Sequence, residues 1–154
     1  MFDVCLIVDA NVGPTYLAQP SAVIAWLLGE RGNPKLVAAG KLLEELALNA
    51  SVRRRLVTLE QAGRLRSADG EKLRMEERRL RADGRCTSND HHVLALAIVS
   101  GARTIATNDN ALATDFKNKR IIDQPRGSIY RNPEKHGRLL RHTTSCGVDA
   151  RRPR

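Results

Sequence analysis

The run Val4-Cys5-Leu6-Ile7-Val8 is the feature that most constrains what this chain can fold into. Its five consecutive apolar residues, three of them β-branched, stop abruptly at Asp9-Ala10-Asn11. A strand with one wet face alternates apolar and polar side chains. An unbroken apolar run belongs to a strand buried on both faces, as in a parallel sheet covered by helices. The rest of the chain supplies the partners. Ser21 is a predicted N-cap for a helix over AVIAWLLGERG, and Lys35-Leu36-Val37-Ala38 reads as a second strand leading into the amphipathic helix GKLLEELALNA. A helix beginning near Asp90 and ending at Ser100-Gly101 precedes a strand Thr104–Thr107, and a further short strand is expected at Arg120-Ile121-Ile122. Strands alternating with helices predict an α/β fold around a mainly parallel sheet.

Two stretches stand apart. Residues 52–85 hold 11 Lys/Arg and 6 Asp/Glu and read as two exposed basic helices split near Ser67-Ala68-Asp69-Gly70. Residues 131–154 carry seven Lys/Arg against two acids with little periodicity, and read as a flexible basic tail. The net charge of +9 points to a polyanionic partner, and aromatic content of 3% leaves charge rather than base stacking to hold it. The longest apolar runs, Ala22–Leu28 and Val93–Val99, fall short of the ~20 residues that span a membrane. The early acids of MFDVCLIVDA do not suit a signal peptide. The three cysteines, Cys5, Cys86 and Cys146, are odd in number and show no C-x-x-C spacing. The expectation is a soluble cytoplasmic protein with neither disulfide nor zinc knuckle.

In parallel sheets ligands gather at the carboxyl ends of the strands. Asp9 closes the first strand and Asp109 follows the strand over TIAT, while Asp90 starts the helix that returns to that edge. Three carboxylates converging on one rim repel one another unless a hard divalent cation sits among them. Mg²⁺ or Mn²⁺ so held retains waters that can attack a phosphodiester. Asn11 and Asn108, with Thr107, flank the acids as orienting groups. A fourth acid comes from Lys41–Ala47, where Glu44 and Glu45 border the apolar stripe on opposite sides, so amphipathicity does not choose between them.

Asp90-His91-His92 also matches the D-H-H signature of metal-dependent phosphoesterases. Counted along a helix, however, the histidines point ~100° and ~200° away from Asp90. They are therefore expected to be packing or surface residues, and that class is set aside.

The ordered set D-x-N (Asp9–Asn11), E-L (Glu45-Leu46), D-x-x-x-x-A-x-A (Asp90–Ala97), G-A (Gly101-Ala102) and T-N-D (Thr107–Asp109) resembles the PIN-domain nucleases over roughly residues 3–130. The resemblance implies a three-layer α/β/α fold for a 1–130 nuclease domain, with 52–85 as an insert. It also implies Mg²⁺- or Mn²⁺-dependent cleavage of single-stranded RNA, often as the toxin of a toxin–antitoxin pair, and often as a homodimer. Carried over residue by residue, it assigns Asp9, Glu45, Asp90 and Asp109 to the metal, with Glu45 chosen over Glu44 because the family's acid precedes the leucine. The competing expectation is a non-catalytic RNA-binding protein that keeps the fold. Against it, carboxylates at a phosphate-binding rim weaken binding unless a cation accompanies them.

Overall fold

The computed structural model describes residues 4–30, 32–142 and 146. Five strands, β1 (Val4–Val8), β2 (Pro34–Val37), β3 (Leu65–Arg66), β4 (Thr104–Ala106) and β5 (Ser128–Tyr130), form one sheet in the order β3-β2-β1-β4-β5. Every pairing is parallel. Helices flank the sheet in a three-layer α/β/α arrangement: α1 (Ala22–Leu27), α2 (Gly40–Ala47), α3 (Ala50–Gln61), α4 (Gly70–Asp83), α5 (His91–Ser100), α6 (Asn110–Phe116) and α7 (Pro133–His142).

The apolar run at the start of the chain becomes the central strand. Cys5, Leu6, Ile7 and Val8 are all fully buried, because β1 has a neighbour on each side and helices over both faces. Its register with β4 pairs Ile7 with Ile105 and Val8 with Ala106. Ser21 caps α1 as expected, accepting from the Ile24 N–H at 3.2 Å. Gly101 ends α5 with φ at +84°, a left-handed turn that side-chain-bearing residues rarely adopt. The next residues turn straight into β4.

Four expectations are corrected. Ile121 and Ile122 are buried but form no strand: both N–H groups donate to the Asn118 carbonyl at 2.9 Å, closing a turn. The fifth strand lies at Ser128–Tyr130 instead. Within 52–85 the chain forms an edge strand, β3, between its helices, and α4 buries Leu73 and Leu80 while packing on α5. The two helices expected there are present with most of their charged side chains exposed, and the segment also adds a strand to the sheet.

The third correction concerns the stretch read as a tail, which forms α7 and buries Leu140. Beyond His142, only Cys146 of that stretch is among the described residues. The fourth is that Cys146 forms a disulfide with Cys5 across a Cα–Cα distance of 5.7 Å. Cys86 is free. Among the described residues, no helix is long and apolar enough to cross a membrane.

Candidate metal-binding active site

From β1 the chain moves outward through β2 to β3 on one side, then returns to place β4 and β5 on the other. The strand order therefore reverses between β1 and β4. In open parallel sheets a crevice opens at that point, outside the carboxyl ends of the strands, and it is where ligands bind. Asp9 follows β1 and Thr107-Asn108-Asp109 follow β4, so both motifs meet at this crevice.

Hydrogen bonds hold the two motifs together. The Asp9 N–H donates to the Ala106 carbonyl at 2.9 Å, extending the β1–β4 ladder by one residue. Thr107, fully buried, donates its hydroxyl to Asp9 Oδ2 at 2.7 Å and accepts from the Asp109 N–H at 3.0 Å. One hydroxyl thus fixes the spacing of two acids. Asp109 caps α6, its Oδ1 accepting from the Leu112 N–H at 3.0 Å.

Asp90 is the N-terminal boundary residue of α5, and its side chain makes no capping bond. Its N–H donates to Ser88 Oγ at 3.3 Å. The loop before it is clamped by Asp115, a residue only 1% exposed on α6. Asp115 accepts from the Thr87 N–H and hydroxyl and from the Ser88 N–H at 2.9–3.0 Å. Sequence reading missed Asp115. Its visible signal was an acid set among Leu112, Ala113 and Phe116 on a short helix, where a buried carboxylate requires donors.

Glu45 and Glu44 separate in the fold. Glu44 is exposed, whereas Glu45 is half-buried with Oε1 2.9 Å from His92 Nε2. His92, expected to be a packing or surface residue remote from the acids, therefore joins the site. The helical count failed because Asp90 is not helical. With φ −92° and ψ 50°, its side chain leaves the chain along a different direction from the residues that follow. His92 is itself 7% exposed, and its Nδ1 has no partner among the described residues. His91 Nδ1 is likewise buried without one. Asn11 and Asn108 sit exposed at the rim.

The acids sense one another. Burial raises the pKa of Asp9, the Thr107 hydrogen bond lowers it, and the charges of Asp90 and Asp109 push it up further. Asp90 is raised by burial, with His92 opposing and Asp109 and Glu45 adding to the rise. Asp9, Asp90, Asp109 and Glu45 thus form one electrostatically linked set with Thr107 and His92 between its members. Among the described residues, no three His, Cys, Asp or Glu side chains are gathered into a ready-made chelate. The four acids offer oxygen donors, the type of ligand hard divalent cations take. The chain matches no protein-family model and no curated protein.

Proposed function

We propose that the protein is a divalent-cation-dependent endoribonuclease of the PIN-domain type, hydrolysing phosphodiester bonds in single-stranded RNA. The observation that carries this reading is the placement of Asp9 and Asp109 together at the strand-order reversal, joined through the Thr107 hydroxyl, with Asp90 at the start of α5 and Glu45 held by His92. Burying like charges together costs stability unless a cation compensates. A bound Mg²⁺ or Mn²⁺ would supply an acidified water and polarise the phosphate. Asp9, Glu45, Asp90 and Asp109 would hold it, while Thr107 and His92 keep Asp9 and Glu45 oriented. Water would attack phosphorus directly, with no covalent intermediate, as the P–O bond to the departing sugar oxygen breaks and that oxygen takes up a proton from solvent.

Exposed Arg53, Arg54, Arg74, Arg78 and Arg79 on α3 and α4 would add a salt-sensitive grip on the RNA backbone. A cytoplasmic setting, a homodimer and an antitoxin partner belong to the same proposal. Disulfides are rare in a reducing cytoplasm, so the Cys5–Cys146 bond weighs against that setting.

The net charge of +9 favours one competing reading, a non-catalytic RNA-binding protein. Cleavage of single-stranded RNA with Mn²⁺ or Mg²⁺ separates the two. Wild type is expected to cleave, EDTA to stop it, and Asp9→Asn to reduce the rate by at least ~100-fold. Equal cleavage by both proteins, or cleavage that survives EDTA, would sink the nuclease. Salt-sensitive RNA binding by both without cleavage would establish the binding protein.

A further inference from the structure

Beside the acidic rim, a cavity of about 420 Å³ opens between α6, β5 and the start of α7. Asn110, Thr114, Lys117, Ile129, Arg131 and His136 line it, and no Asp or Glu among the described residues does. Its charge is the reverse of the rim's, although Asn110 directly follows Asp109 in the chain.

Arg131 is built into this cavity rather than left free. Its Nε donates to the Thr107 carbonyl at 3.2 Å and its Nη2 to Asn110 Oδ1 at 3.0 Å. A guanidinium carries five N–H donors, so three remain for a ligand. The Arg131 backbone is held as well: the Tyr16 hydroxyl donates to its carbonyl at 2.9 Å, and its own N–H donates to His136 Nδ1 at 3.1 Å. Because Nδ1 accepts, a neutral His136 carries its proton on Nε2 and is a donor there. Asn110 spends its carbonyl oxygen on Arg131 and keeps its NH₂. Lys117 adds an exposed positive charge, and Ile129 gives the cavity an apolar wall.

We propose that this cavity is a phosphate subsite that seats a backbone phosphodiester of single-stranded RNA beside the one presented to the acids, with the neighbouring sugar or base against Ile129. The assignment rests on the nuclease reading for its orientation along the strand. Physically, a rim of carboxylates repels a polyanion, and a preorganised cluster of donors one residue away offsets that repulsion at the next phosphate. The same Arg131 that would grip the phosphate is bonded to Thr107, so the subsite and the acids share one scaffold.

The test reads binding rather than turnover. A short fluorescent single-stranded RNA is titrated in EDTA against the full chain carrying Asp9→Asn, over a range of NaCl concentrations. Addition of Lys117→Ala and His136→Gln is expected to weaken binding roughly 10-fold and to lower the salt slope by about 1. Lys35→Ala, which removes one charge at the opposite end of the sheet, is expected to change neither. Circular dichroism and thermal melts confirm that each variant is folded. An unchanged slope in the double variant, or an equal loss with Lys35→Ala, overturns the subsite. Displacement of the RNA by micromolar inorganic phosphate or nucleoside monophosphate overturns the strand as its occupant. A wild type that binds through these residues but never cleaves removes the nuclease and leaves the subsite standing. A wild type that cleaves while its binding ignores Lys117 and His136 does the reverse.

Discussion

Thr107 connects more of the site than any other single residue. Its hydroxyl lies between Asp9 and Asp109, as donor to one and acceptor from the other's backbone. Thr107→Val keeps the shape and deletes both bonds, leaving a buried carboxylate oxygen without its donor, at a cost of about 1–3 kcal/mol. The variant is also expected to bind Mn²⁺ about 10–100-fold more weakly, whereas Thr107→Ser stays close to wild type. Thermal shift against Mn²⁺ concentration checks both, and equal Mn²⁺ affinity in the valine and serine variants would show that the hydroxyl does not orient Asp9.

Asp9 itself predicts a pH response in metal-free protein. Its folded pKa is raised above the ordinary 3.8, first by burial and then by Asp90 and Asp109. As pH rises from 3.8, the unfolded chain releases this proton before the native state does. Stability therefore falls through that window, and the penalty is complete above the raised value. Asp9→Asn removes the penalty and keeps an acceptor for Thr107. In EDTA at neutral pH, its melting temperature is expected to equal or exceed that of wild type, with the gap closing as pH falls towards 3.8. A variant less stable than wild type at neutral pH would contradict this account.

At the scale of elements, the ends matter more than the middles. The helix α5 stops at Gly101 and is capped from beyond by Arg103, which is buried. Arg103 Nη1 donates to the carbonyls of Ala97 and Ala102 at 2.7 and 3.0 Å, and Nε donates to the Asp123 backbone carbonyl at 3.1 Å. A cation on the last carbonyls of a helix is favourably placed against its dipole. It also ties α5 to the turn that displaced the strand expected at 120–122.

That turn leads to Gly127, where a β-carbon would collide with the Phe116 carbonyl oxygen and ring. The chain can enter β5 only because residue 127 has no side chain. Gly127→Ala is expected to cost about 1–3 kcal/mol by forcing β5 away from α6. Urea denaturation measures it, and an unchanged midpoint would mean that the two elements yield freely. The strand prediction failed here for a related reason. Arg120-Ile121-Ile122 has the composition of a strand, but Asn118 offers a turn that buries the same side chains, and three residues carry too little periodicity to distinguish the two.

For the whole molecule, the disulfide is the largest departure from expectation. It joins Cys5, the second residue of the central strand, to Cys146 beyond α7, across 141 residues of sequence. A cross-link closing so long a loop restricts the unfolded chain strongly, and its loss costs roughly 2–5 kcal/mol. Thiol titration of denatured, unreduced protein is expected to find one reactive cysteine, Cys86, and three after reduction. Cys146→Ser is expected to lower the melting temperature. Three thiols without reduction would remove the cross-link.

The fold was largely legible because a fully apolar strand, capped helices and alternation are local signals that burial rewards wherever they occur. The four acids of the candidate site were also read from the sequence, three from strand ends and helix starts and Glu45 from resemblance alone. His92 and Asp115 were not. Their roles depend on contacts with Glu45 and Thr87, 47 and 28 residues away, which no local pattern encodes.

The chain itself determined the buried central strand, the α/β class and the edge at which Asp9 and Asp109 emerge. Those follow from hydrophobic patterning and the direction of parallel strands. Only the tertiary structure decided that Glu45 rather than Glu44 faces His92, that Thr107 links the Asp9 carboxylate to the Asp109 backbone and that Arg131 ties a cationic cavity to the Thr107 carbonyl. Each of these depends on side-chain geometry between segments distant in sequence, set by the packing of the whole molecule.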